Sequence, residues 1–317
     1  MFMIYACTIA FGVSHAFQQP ALRALMPTLV KHEELPHCIA WATGAKKAAT
    51  IAGPALGGLI YMLGPVAAYA AGAVCFVIAG LALSSIHLHA HAVPARQPMS
   101  LESLFSGIAF IVKRPVILGA LSLDLFAVLL GGATAMLPIY ARDILMTGPE
   151  GLGLLRAAPA VGAVLISLAL LRIRLARHVG RKLFASIAVF GAATVVFGLS
   201  RSFTLSFVAL AVLGAADMVS MVIRQSLVQL KTPEGMRGRV GAVNSVFTGT
   251  SNQLGQFESG VVAAWLGAVA SVVIGGAGTL LVAALWIYWF PALWKIDRLT
   301  TSDDAEKPAT PPGRSGH

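Results

Sequence analysis

Charge is what this chain has least of. Of its 317 residues only 11% are Asp, Glu, Lys or Arg, where soluble domains carry about a quarter. Another 57% are hydrophobic, with a mean hydropathy of +0.80. That poverty excludes an ordinary water-soluble domain and implies a polytopic membrane protein. Acidic groups are scarcer than basic ones, 13 against 23, for a net charge of +10. The Lys and Arg lie between apolar runs without aromatic interleaving, so the charge reads as membrane topology and not as nucleic-acid binding. Cysteine is nearly absent. Cys7, Cys38 and Cys75 sit in or near apolar runs without Cys-x-x-Cys spacing, so neither a disulfide framework nor a metal site is indicated. No GxxxxGK(S/T), no GxSxG and no cluster of metal ligands occurs; ATP use, enzyme chemistry and a bound cofactor are all unsupported. Alternating strands are missing too, because the apolar runs are too long and continuous for a β-barrel.

What is present is a series of runs of the length a bilayer demands, about 20 residues. They fall near 2–26, 37–62, 66–86, 116–140, 150–171, 181–200, 203–230, 240–264 and 267–291, which predicts an all-α membrane protein of nine spans. No cleavable signal peptide is read at the start, since the first run is too long and lacks a basic prelude. The connection from His87 to Met99 carries Pro94 and Pro98 and is read as a linker; His87, His89 and His91 within it are read as solvated, not metal-binding. Beyond it, Leu101, Leu104, Phe105 and Ile108 recur at helical spacing behind a Ser100 N-cap, predicting a short helix on the membrane surface that ends at Lys113-Arg114-Pro115. The tail after Lys295, rich in Ser, Thr, Asp and Pro, is expected to be disordered.

Within the second run, Gly53-Pro54-Ala55-Leu56-Gly57-Gly58 removes one backbone donor at Pro54 and side-chain bulk at Gly53, Gly57 and Gly58. A helix there can bend and another backbone can approach closely. The pattern resembles the fifth-helix antiporter motif of the major facilitator superfamily, with Ala49 standing where the fuller motif has Gly. Three further stretches resemble the siderophore-exporter-like branch of that superfamily: Gln19 to Val30, Leu137 to Asp143, and Gly151 to Ala160. The resemblance covers nearly the whole chain to about Trp294. It implies that these stretches fall on helices four, five, seven and eight of a twelve-helix exporter of siderophores, drugs or amphiphiles.

By that reckoning the chain begins at helix four. A shift of the chain on itself by 202 residues pairs Gly12 with Gly214, Leu25 with Leu227, Gly53 with Gly255 and Gly58 with Gly260. This is the period two six-helix halves require. The expected organisation is the second half of the N-terminal bundle over 1–86, a cytoplasmic linker with its surface helix over 87–115, the C-terminal six-helix bundle over 116–294 and the tail over 295–317. A truncated, non-transporting fragment is the rival expectation.

Basic residues set the orientation. Arg23 and Lys31, then Arg96, Lys113 and Arg114, then Arg172 to Lys182, then Lys231, Arg237 and Arg239 border alternate connections. The positive-inside rule places these and the C-terminus in the cytoplasm of a bacterial inner membrane. Arg177 to Lys182 resembles a degenerate copy of the superfamily's basic loop motif, with Arg177 where Asp is usual; a plain positive-inside loop is the preferred reading.

Ionisable groups inside a span are costly, so each is a functional candidate. Here they are His15, Lys46, Lys47, Asp124, Asp217, Arg224 and Glu258. The resemblance puts the helices at 2–26, 116–140 and 203–230 around a central cavity, which makes His15, Asp124, Asp217 and Arg224 candidates for proton coupling or substrate binding. Asp217 and Arg224 are seven apart, on one helical face about 10 Å apart. A structural pair or an interhelical hydrogen bond is the alternative for each. Glu258 reads as a contact between the halves, and Lys46 and Lys47 as snorkelling stems or substrate contacts. The expected protein is a monomer in the bilayer, exchanging a small-molecule substrate against protons by alternating access.

Overall fold

The computed structural model describes residues 3, 5–14, 18, 38, 42, 45, 49, 52–54, 56–58, 60–85, 101–170, 172 and 177–297. They form two compact units, Met1–Gly53 with Leu63–Pro98, and Pro54–Met62 with Met99–His317. No strand occurs among the described residues.

The first unit contains α1 (Tyr5–Ser14) and α2 (Pro65–Ser84). Pro65 opens α2 at the one helical position where its missing N–H costs nothing. With a mean hydropathy of 2.2 and no buried residue, α2 is apolar on every side, the composition of a helix solvated by lipid.

The second unit is a helical bundle of α3 (Leu101–Val112), α4 (Pro115–Leu130), α5 (Pro149–Leu170), α6 (Val179–Leu199), α7 (Phe203–Lys231), α8 (Glu234–Leu266), α9 (Ala268–Trp289) and the short α10 (Pro291–Trp294). Six helical stretches among the described residues are long and apolar enough to cross a membrane: α2, the continuous stretch Pro115–Ile144, α5, α6, α7 and α9. The span expected at 240–264 lies inside α8, whose 33 residues reach about 50 Å at 1.5 Å each. Its Asn, Gln, Ser and Thr residues keep it out of that apolar set. About half of each of the runs at 2–26 and 37–62 lies outside the described residues, and the linker histidines and Ser100 lie outside them entirely.

The span expected at 116–140 is not one regular helix. At Gly131-Gly132 the ladder tightens into a 3-10 turn (Ala133–Met136), then passes through Leu137–Ile139 into a π turn (Tyr140–Ile144). Two adjacent glycines at the helix end are the local cause, since neither favours continuing the α-helix. The far end is held by Tyr140, which is fully buried and donates its hydroxyl to the Gly198 carbonyl at 2.7 Å.

Two cores organise the bundle. One joins α4, α6, α7 and α9 through Leu123, Leu183, Ile187, Ile223 and Trp286; the other gathers Leu137, Leu155, Phe197 and Leu210 around Tyr140. A helix, α3, occupies the stretch where a short one was expected, and packs Ile111 against Val240 and Val243 of α8. Between α5 and α7 the backbones nearly touch. A Cβ on Gly162 would collide with the Ala211 carbonyl, and one on Gly214 with that of Pro159. Such crossings suit a membrane, where small residues replace the hydrophobic effect as the means of close packing. Outward-facing Leu165, Leu281 and Trp265 stay exposed, as lipid contacts would.

Candidate functional site

The basic end of α7 and the start of α8 enclose a polar cleft of about 380 Å³ in the second unit. Arg224, Gln225, Gln229, Thr232, Arg237 and Asn244 line it. Helical geometry explains the clustering. Arg224, Gln225, Val228 and Gln229 recur at the three- and four-residue spacing of one face, and the turn at Thr232-Pro233 brings the first turns of α8 back alongside.

The cleft is anchored by an ion pair. Arg224 of α7 meets Asp124 of α4 with Nη1 2.5 Å from Oδ1, and the two side chains are only 8% and 6% exposed. The same Nη1 donates to Ser220 Oγ, one turn back on α7, at 3.3 Å. A charge buried this deeply survives only with a partner. Each of these two is the other's.

Asp124 is itself placed by ties from α4 to its neighbours. Ser122, two residues earlier, donates to the Leu118 carbonyl at 2.6 Å and accepts from Trp286 Nε1 of α9 at 2.9 Å. Thr279 of α9 donates to the Ala127 carbonyl at 3.4 Å, and Phe126 lies 5.2 Å from the Trp286 ring. Asp217 is exposed on α7, seven residues before Arg224, and acts on Asp124 through space as a second negative charge. Asp217 and Arg224 were expected on one face of a helix; Arg224 is paired with Asp124 across two helices.

The remaining candidates lie apart from this group or beyond description. Glu258 of α8 is half-buried and hydrogen-bonded to Ser259, whose carbonyl accepts from Ser271 of α9 at 2.8 Å. His15, Lys46 and Lys47 fall outside the described residues. In the glycine motif, Gly58 stacks directly on Gly153 of α5. A Cβ on Gly58 would meet the Pro149 carbonyl at 2.8 Å, and one on Gly153 the Pro54 carbonyl at 2.7 Å. Gly53 and Gly57 face open space among the described residues. Thr232, Gln225, Gln229 and Asn244 were not singled out in the sequence, because uncharged polar residues near a helix end carry no signal there.

Residues 1–310 match the family model described as transmembrane secretion effector. The chain belongs to that family of the major facilitator superfamily. It is 28% identical over 290 residues to the enterobactin exporter EntS of Escherichia coli O1:K1, covering 89% of this chain and 68% of that relative. The EntS of Shigella boydii serotype 18 is 27% identical over 288 residues, with the same coverage. Among solved structures, a bacterial metal transporter superposes with a TM-score of 0.57 at 19% identity, over 83% of this chain and 67% of that one. The last likeness concerns the fold alone. Family and apolar helices together make this a multi-pass membrane protein of transporter type.

Proposed function

We propose that the protein exports a small molecule, a siderophore, drug or amphiphile, across the bacterial inner membrane by proton-coupled alternating access. The observation that carries the proposal is the buried Asp124–Arg224 pair at the edge of a polar cleft. A proton on Asp124 dissolves the pair, because a neutral carboxyl no longer compensates the guanidinium. Arg224 then presents its charge to the cleft. Loss of the proton restores the pair and withdraws that charge. Proton and substrate thereby compete for one pair of helices, α4 and α7, and their exchange biases one facing state of the transporter over the other. Asp217 supplies a second carboxylate within electrostatic reach. The working unit is a monomer, with residues 1–86 and 116–294 belonging to opposite halves and the C-terminus in the cytoplasm.

Inverted membrane vesicles from cells producing the protein test this. Energised vesicles should accumulate a fluorescent amphiphile and release it when a protonophore collapses the gradient. Accumulation that survives the protonophore would contradict proton coupling, and none above control vesicles would contradict export.

A further inference from the structure

One face of α3 is buried and the other is bare. Gly107 and Ile111 sit against the first turns of α8: a Cβ on Gly107 would meet the Arg239 carbonyl oxygen at 3.1 Å and Val243 Cγ2 at 3.0 Å, and Ile111 packs on Val240 and Val243. Arg239 fastens this crossing by donating from Nη1 to Ser106 Oγ at 3.3 Å. On the other face, Phe105, Ala109 and Val112 recur at four- and three-residue spacing and so form one apolar stripe. Phe105 and Val112 are 67% and 58% exposed. The seat on α8 keeps the stripe turned away from the bundle.

Basic groups close the helix. Lys113 and Arg114 follow Val112 directly and both are exposed, while the one acidic residue of α3, Glu102, stands at its other end. The Arg114 guanidinium carbon lies 5.0 Å from the Phe110 ring centre. Such stacking uses the flat face of the group and leaves the N–H groups in its plane for phosphate oxygens. Pro115 then opens the stretch to Ile144 that is long and apolar enough to cross a membrane. Lys113 and Arg114 therefore stand at the threshold of a span, where lipid headgroups lie, with the apolar stripe immediately before them.

We propose that α3 is a docking surface for anionic phospholipid, with Phe105, Ala109 and Val112 set into the acyl boundary and Lys113 and Arg114 on headgroup phosphates. The match is one of shape and of charge: an apolar stripe for the acyl chains, and two adjacent cations for a negatively charged leaflet. A zwitterionic leaflet offers the same acyl boundary without net charge, so the preference for anionic lipid belongs to the two cations. The inference needs the chain to lie in a membrane and is independent of export.

The test uses the full chain with Cys7→Ser, Cys38→Ser and Cys75→Ser, and with Ala109→Cys carrying a bimane label. In vesicles of phosphatidylcholine, alone or mixed equally with phosphatidylglycerol, the label is quenched either by doxyl groups on the acyl chains or by acrylamide in the water. Doxyl quenching should dominate, and its ratio to acrylamide quenching should be about threefold higher with phosphatidylglycerol than without. Lys113→Gln combined with Arg114→Gln should abolish that difference, yet melt within about 2 °C of the parent because both side chains are exposed. Raising sodium chloride on the parent protein should shrink the same difference, which reads the charges without a substitution. Dominant acrylamide quenching, or a label shielded from both quenchers as it would be under a protein partner or a second copy, overturns the proposal. So do equal ratios in the two lipids, or a phosphatidylglycerol preference that the folded double variant keeps or that salt leaves intact.

Discussion

Asp124 and Arg224 each make the other tolerable. Removing one partner of a buried pair leaves an uncompensated charge, at a cost of about 3–5 kcal/mol, whereas replacing both with neutral residues is often close to neutral. Arg224→Gln alone is therefore expected to lower the melting temperature sharply, and Asp124→Asn combined with Arg224→Gln to recover most of the loss. Equal destabilisation by the single and double variants would show that the pair is not the source of the cost. Each charge stood out in the sequence because lipid makes any charge conspicuous, but their pairing did not. They lie a hundred positions apart on helices whose rotation is set by packing around Trp286 and Ser122. The tie between His178 and Asp297 was equally hidden. His178 has φ 54 just before α6, and its backbone N–H donates to Asp297 Oδ1 at 3.1 Å. The Asp297 and Ile296 carbonyls take the N–H groups of Val179 and Gly180 at 3.3 and 2.9 Å. This is a helix N-terminus capped by the segment that follows α10. Asp297→Ala should cost about 1 kcal/mol, read as a lowered melting midpoint.

At the scale of elements, glycine marks where helices touch. Gly58 and Gly57 are neighbours in one motif, yet only Gly58 faces Gly153 closely among the described residues. Gly58→Leu is expected to destabilise by about 1–3 kcal/mol through overpacking, and Gly57→Leu by much less. Similar losses from both, measured by thermal melting in detergent, would remove the crossing as the motif's role in packing. Periodicity and length located α2, α5, α6, α7 and α9 to within a few residues, since a bilayer demands long apolar runs. It could not foresee the change of helix type after Gly131, where tertiary contacts of Tyr140 decide, nor the polar face of α8. The cleft was illegible for a related reason. Gln225, Gln229, Thr232 and Asn244 gain meaning only when α7 and α8 turn back on each other.

For the whole molecule, orientation and coupling follow from charge. If the basic connections are cytoplasmic, then in a cysteine-free background Glu150→Cys should react with an impermeant thiol reagent added outside and Arg96→Cys should not. The reverse pattern would invert the topology. Coupling is the central claim. Because Asp124→Asn alone would strand a buried Arg224, the cleaner variant is Asp217→Asn on the exposed face of α7, beside the double variant Asp124→Asn with Arg224→Gln. The decisive measurement is efflux of a fluorescent amphiphile from proteoliposomes with and without an imposed pH gradient. The wild-type protein should move it faster with the gradient, and the double variant, inserted and folded, should move it at one rate regardless of the gradient. Gradient-driven efflux by the double variant at the wild-type rate would contradict the account, because the proton would then pass without the pair.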